Sequence, residues 1–273
     1  MGSPTRDYKA IINTFQETGY VKIEGLLSAE RVALLNRAID QVVAEEPASL
    51  RYDIRNAVSR HPDIADLMDD EAVLPILANT LGYNIQLSLS HLTVRHPNPN
   101  AAEPPSTKNS VGWHQDGPVP GFPSVGGVTP LFYLKICYFL SDMSGPDRGN
   151  TKLVPGSGNA PYTPQRQVGS TENLVGEVQM CGNPGDAFLF AQNVWHAAAP
   201  NLSNMSRRQL FMGYSYVWMR PLDYHTVAPH QLEGASPLRR QMLGQLNDDP
   251  FNYFVVTNLQ QELPLKSYVA ASR

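Results

Sequence analysis

Two hydrophobic periods divide the chain. Up to residue 82 the apolar positions mostly recur at helical spacing. "DYKAIINTFQETG" (7–19) reads as an amphipathic helix that stops at Gly19, and "YVKIEGLL" (20–27) as a short strand. Ser28 opens "SAERVALLNRAIDQVVAEE", where Val32, Leu35, Ala38, Ile39, Val42 and Val43 form one stripe. Pro62 can begin a further short helix. "EAVLPILANTLG" (71–82) predicts another that ends at Gly82, its first turn disturbed by Pro75.

From residue 83 the period becomes two. "YNIQLSLSHLTVRH" (83–96) alternates as a half-buried strand does, and strands are also predicted over 130–142, 150–155, 186–191 and 208–219. "SGPDRGN" and "CGNPGD" separate them as turns, while "PNPNAAEPPSTKNS" (97–110) is too rich in proline for regular structure. Short strands after a helical start predict a mainly β sandwich or barrel with N-terminal helices. The expected layout is one domain over 1–273: a mostly helical buttress (1–82), a β core (83–218) and a C-terminal loop and helix extension (219–273), with "SPLRRQMLGQL" its clearest helical piece.

Composition narrows the class. At 42% hydrophobic and 17% charged residues, the chain can bury a sizeable core. A formal charge of −4 argues against nucleic acid or a polybasic membrane surface as a partner. Two cysteines, Cys137 and Cys181, make neither a disulfide framework nor a thiolate cluster, and reduced, buried thiols are expected. With no apolar signal core and no long apolar run, the expectation is a soluble cytoplasmic protein.

The chemistry begins at "VGWHQDGP" (111–118). On an extended segment residues two apart face the same side, so His114 and Asp116 can converge on one ion while Gln115 points away. Among seven histidines an HxD pair carries little weight by itself. His196, in "FLFAQNVWHAAAPN", follows an apolar strand and precedes small residues that leave room beside its ring; a lone histidine there is otherwise a core residue bonded to a carbonyl. Two imidazoles and a carboxylate leave one face of a metal open, which suits non-heme Fe(II), although zinc accepts the same ligands. Arg207 stands eleven residues beyond His196, and a guanidinium there can grip a carboxylate through paired donors. Taken alone, Arg207 and Arg208 would simply cap a strand in solvent.

"WHQDGP", "RGNTKLVPGSG" and "NPGDAFLF…WHAAAPNLSNMSRR" together resemble the phytanoyl-CoA dioxygenase family of Fe(II)/2-oxoglutarate oxygenases, with similarity from "GYVKIEGLLS" to about Trp218. The resemblance implies a double-stranded β-helix (a cupin-like jelly-roll) with helices outside it. It implies iron held by His114, Asp116 and His196, and 2-oxoglutarate anchored by Arg207, with Arg208 less suited by spacing. Asn150 and Thr151 fall where relatives place polar contacts near the co-substrate. Gln115 supports the loop, and Ala198 replaces a serine that some relatives have beside 2-oxoglutarate. Gly158 stands where PGSH is the commoner ending, a departure expected to alter the turn or pocket and not the metal.

The implied reaction uses O2 and turns 2-oxoglutarate into succinate and carbon dioxide while the substrate is hydroxylated. Desaturation, epoxidation and rearrangement use the same ligands, whereas retention of Asp116 disfavours halogenation. The expected substrate is a small metabolite or natural-product intermediate, with a homo-oligomer left open. Loops 97–110 and 117–130 would flank the pocket, with Phe122, Phe132 or Tyr133 near it and Arg55, Arg95, Arg148 or Arg220 available to an anionic group. Two other readings stay open: a cupin-like zinc or manganese enzyme, and a non-catalytic protein that binds a metal or keto acid.

Overall fold

The computed structural model describes residues 6–97, 112–116, 124–170, 173–245 and 263–271. Helix α1 (Tyr8–Thr18) starts where Asp7 accepts the Ala10 N–H at 3.0 Å. It ends at Gly19, whose positive φ of 76° closes the last turn. β1 (Tyr20–Ile23) leads to α2 (Ala29–Ala44), capped by Ser28. The buried stripe of α2 is Val32, Leu35, Ala38, Ile39 and Val42, with Val43 only partly covered. β2 (Arg51–Arg55) follows, then a single 3-10 turn at Ala57–Ser59, α3 (Pro62–Ala65) and α4 (Leu74–Thr80). Pro75 does not disturb α4: it lies in the first turn, where a missing N–H has no partner to lose.

The β core comprises β3 (Ile85–Arg95), β4 (Tyr133–Phe139), β5 (Thr151–Leu153), β6 (Val178–Gln179), β7 (Ala187–Ala191), β8 (His196–Ala198) and β9 (Arg207–Tyr216). A major sheet runs β1-β7-β4-β9-β3-β2 and a minor one β6-β5-β8, every pairing antiparallel. The fold is a jelly-roll. β2 is a strand among segments expected to be helical. Its alternation is legible only as Tyr52 and Ile54 against Arg51, Asp53 and Arg55, and it pairs with the end of β3 along its whole length.

The two faces of the major sheet differ in kind. Leu134, Ile136 and Tyr138 of β4 and Leu210, Met212 and Tyr214 of β9 are all but fully buried on the helical side. There the Tyr214 hydroxyl donates to the Met68 carbonyl at 3.0 Å. The opposite face, toward the minor sheet, carries Tyr133, Lys135 and Cys137 of β4 and Arg207, Gln209, Phe211 and Gly213 of β9. After β9 the chain passes through α5 (Pro229–Leu232) and α6 (Pro237–Met242), and α7 (Pro264–Ala271) packs beside α6 and α4. Among the described residues no helix is long and apolar enough to cross a membrane.

Candidate metal and co-substrate site

Main-chain pairing brings the HxD segment to the turn between β7 and β8. His114 and His196 exchange N–H···O bonds in both directions at 2.9 Å, and the Asp116 N–H donates to the Gln192 carbonyl at 2.8 Å. Gln115 points away from its neighbours, as alternation requires, and its amide donates to the Asn193 carbonyl. From the other side, Ser157 Oγ accepts the Trp195 N–H at 2.9 Å. Gly19 also lets the end of α1 press against Val194, where any Cβ would collide with the valine side chain. The turn is thus held from several directions by backbone and by short side chains.

These contacts place His114, Asp116 and His196 with their ligand atoms all within 4.8 Å of one another. The tautomers suit a metal: His114 Nδ1 is bonded to the Gly112 carbonyl at 2.7 Å and His196 Nδ1 to the Val194 carbonyl at 2.9 Å. Each Nδ1 therefore carries the proton, which leaves the Nε2 lone pairs for an ion. Burial, together with repulsion from His196, lowers the His114 pKa and keeps its ring neutral. Burial opposes the charge on Asp116, but the neighbouring Lys135 ammonium outweighs it and holds the carboxyl far below the usual range. Lys135 Nζ lies 2.5 Å from Asp116 Oδ2, a charge contact and not a directed hydrogen bond. This donor set fits Fe(II).

Arg207 opens β9 with only 5% of its surface exposed. Its Nε donates to Gln209 Oε1 at 2.6 Å and Nη2 to the same oxygen, and among the described residues it has no ion pair. Burial, with the nearby Arg95, pulls its pKa down to about 10, so it remains charged at neutral pH. A buried cation without a counter-ion is costly unless an anion arrives, and a keto-acid carboxylate answers that requirement. Gly149 (φ 78°) makes room for it, since a Cβ there would sit 2.7 Å from Arg207 Cδ.

The other predicted residues are placed as follows. Thr151 is buried and registers with Ala198 across β5 and β8, on the side shared with Leu153 and His196. Asn150 uses its amide locally: Oδ1 accepts the Arg148 N–H at 2.8 Å, and Nδ2 donates to the Met180 carbonyl at 3.0 Å. Arg208 is turned to the helical side, with Nη2 2.7 Å from Asp40. Gly158 is filled from outside, because a Cβ would lie 2.5 Å from Asn193 Oδ1. Tyr133 is buried; burial and the Asp116 charge both raise its phenol pKa. Phe132 packs on Trp218, with ring centroids 6.5 Å apart. Arg95 pairs with Asp53 at 2.7 Å, Arg148 with Asp142 at 2.5 Å and Arg220 with His225 at 3.0 Å, while Arg55 is exposed. Phe122 and most of the loops flanking the motif lie outside the described residues. Cys137 is buried, and burial raises its thiol pKa; Cys181 is only partly covered, against the expectation of burial.

Sequence patterning did not single out Lys135 or Gln209. Both sit at alternating positions of the site-facing strands, where a polar residue in an apolar run is the available signal.

Residues 15–209 match the family model described as phytanoyl-CoA dioxygenase (PhyH). A probable alpha-ketoglutarate-dependent hypophosphite dioxygenase of Stutzerimonas stutzeri is 26% identical over 241 residues, 76% of this chain and 78% of its own. Two solved structures share the fold. The carbocyclase SnoK from nogalamycin biosynthesis has a TM-score of 0.60 at 21% identity, over 86% of this chain and 95% of its own. HygX from Streptomyces hygroscopicus, with nickel and 2-oxoglutarate bound, has a TM-score of 0.62 at 17% identity, over 82% and 93%. The protein is thus a non-heme iron oxygenase that uses Fe(II), 2-oxoglutarate and O2. The chain belongs to the phytanoyl-CoA dioxygenase family.

Proposed function

We propose that the chain hydroxylates a small-molecule metabolite or natural-product intermediate, with Fe(II) held by His114, Asp116 and His196. Arg207 grips the distal carboxylate of 2-oxoglutarate, and Thr151 stands beside that co-substrate. The observation that carries the reading is the pairing of a two-imidazole, one-carboxylate cluster with a buried guanidinium that has no counter-ion among the described residues. Small-molecule substrates agree with the names of the relatives, which include a hypophosphite dioxygenase and a carbocyclase. Because one neighbour is a carbocyclase, rearrangement is the alternative outcome at the same ligand set.

When bound, the iron and keto acid supply O2 activation, and 2-oxoglutarate leaves as succinate and carbon dioxide. The chain supplies placement. The imidazoles present Nε2, the Asp116 carboxylate stays ionised, and Arg207 orients the keto acid while Gln209 fixes the guanidinium. Phe190, whose ring is 5.0 Å from that of His196, closes one side to water. In this scheme Asn150 acts by holding the loop before β5. We place the activity in a single cytoplasmic domain spanning 1–273.

Anaerobic addition of Fe(II) and 2-oxoglutarate is expected to give a weak visible band near ~500 nm, and succinate release with substrate should follow in air. His114→Ala or Asp116→Ala should abolish turnover, whereas Arg207→Ala should chiefly raise the KM for 2-oxoglutarate. Full activity in all three variants would refute the assignment. Iron binding without the band would favour a zinc-type enzyme or a non-catalytic binder.

A further inference from the structure

The two oxygens of Asp116 have different surroundings. Oδ1 faces His114 Nε2 at 3.7 Å, whereas Oδ2 lies 2.5 Å from Lys135 Nζ and 3.4 Å from His196 Nε2. We propose that Lys135 is a positioning residue: it holds Asp116 Oδ2 so that the carboxylate offers a metal one oxygen only. This rests on His114, Asp116 and His196 being the ligands.

The strand architecture supplies the lysine deliberately to that place. On β4, Lys135 registers with Phe190 of β7 on one side and with Gly213 of β9 on the other. The space over Gly213 is filled by Leu89, whose Cδ2 would lie 2.8 Å from a Cβ there, so the lysine has no free room on that side. Phe190 walls the other side, its centroid 5.7 Å from Nζ. Among the described residues Asp116 is the one ion-pair partner of Lys135, and both side chains are 15% exposed. A long cationic side chain is therefore confined with its charge at one ligand atom.

Coordination arithmetic gives the placement its consequence. Two imidazoles and one carboxylate oxygen fill half of an octahedral shell; a chelating keto acid takes two of the remaining positions and O2 the last. A carboxylate binding through both oxygens would take one of these three positions itself and so compete with the keto acid as well as with O2. A cation on Oδ2 prevents it, since turning Oδ2 toward a metal would break a close ion pair in a poorly hydrated site. Simple charge neutralisation would predict something different: loss of the lysine would lower stability but leave the ligand geometry unchanged.

Cobalt(II) serves as the probe because its visible bands shift when its set of ligand atoms changes. The full-length chain and the Lys135→Met variant are each loaded with Co(II), their spectra recorded, and 2-oxoglutarate affinity measured by titration. For Lys135→Met we expect shifted bands and a dissociation constant for 2-oxoglutarate raised about tenfold. Lys135→Gln, for use where the methionine variant does not fold, should shift both in the same direction by less. Wild-type spectra and affinity in the variant that folds, with only thermal stability lowered, would overturn the role of Lys135. Failure of the wild type to take up one equivalent of Co(II), or equal uptake by Asp116→Ala, would instead overturn the ligand assignment.

Discussion

At the scale of single residues, the site depends on small groups as much as on its charged ones. Gly158 is the clearest case. The sequence showed a glycine in place of a commoner histidine, and the structure gives the reason: the Asn193 amide fills that space and donates to the Gly158 carbonyl at 2.9 Å and to the Thr129 carbonyl at 2.7 Å. Asn193 in turn holds Gln115 through its own carbonyl. Gly158→Ala should therefore cost about 1–3 kcal/mol by overpacking, read as a lowered midpoint in urea unfolding. An unchanged midpoint would mean that Asn193 has room to move. The cluster of His114, Asp116 and His196 was legible because ligand chemistry demands particular residue types. Lys135 and Gln209 were not, since each contacts its partner only after the strands are registered.

Elements with a strong period were readable and those with a polar one were not. α1 and α2 stand where apolar spacing places them, because each buries one face; β3 stands where its alternation places it, but it is buried on both faces and not half-buried. β8 and β6 are too short to show a period, and β2 is dominated by charge. The charge of β2 is nevertheless organised. Asp53 accepts from Arg51, Arg95 and His91, and these bonds overcome its burial to hold the carboxyl far below the usual range. A carboxyl depressed on folding contributes stability above its unfolded pKa, ~3.9, and loses it as pH falls further toward the folded value. His91, lowered to about 4 by burial, adds to the same acid sensitivity, because it is neutral in the fold and charged in the unfolded chain below ~6.5. Asp53→Asn should thus flatten the decline of stability between ~pH 4 and lower values, as followed by thermal melts. A decline as steep as that of the wild type would exclude Asp53 as its source.

Across the whole molecule, α6 packs on β3 and α7 beside both α6 and α4. Periodicity predicted a helix within 236–246 but not where it docks, and docking turns on one buried polar side chain. Gln241 is fully buried, its amide donating to the Tyr83 carbonyl at 2.7 Å and its Oε1 accepting the Leu265 N–H at 3.0 Å. It joins the start of β3, α6 and α7 in one junction. Gln241→Leu leaves those backbone groups without partners and should destabilise by about 1–3 kcal/mol. Protease should then cut the C-terminal segment first if the junction is what retains it; uniform cleavage along the chain would argue otherwise.

The stitching of residues 114–116 to the 192–196 turn has a consequence for how this protein can change. Apart from the Gln115 amide its bonds run between backbone groups, so the positions of the three proposed ligand side chains are set by atoms that every residue type but proline possesses. On the proposed assignment, exchanging a side chain at 114, 116 or 196 should alter what the site binds while leaving intact the frame that aims it. Chemical identity and spatial address are separable here, and a lineage can revise the first without rebuilding the second.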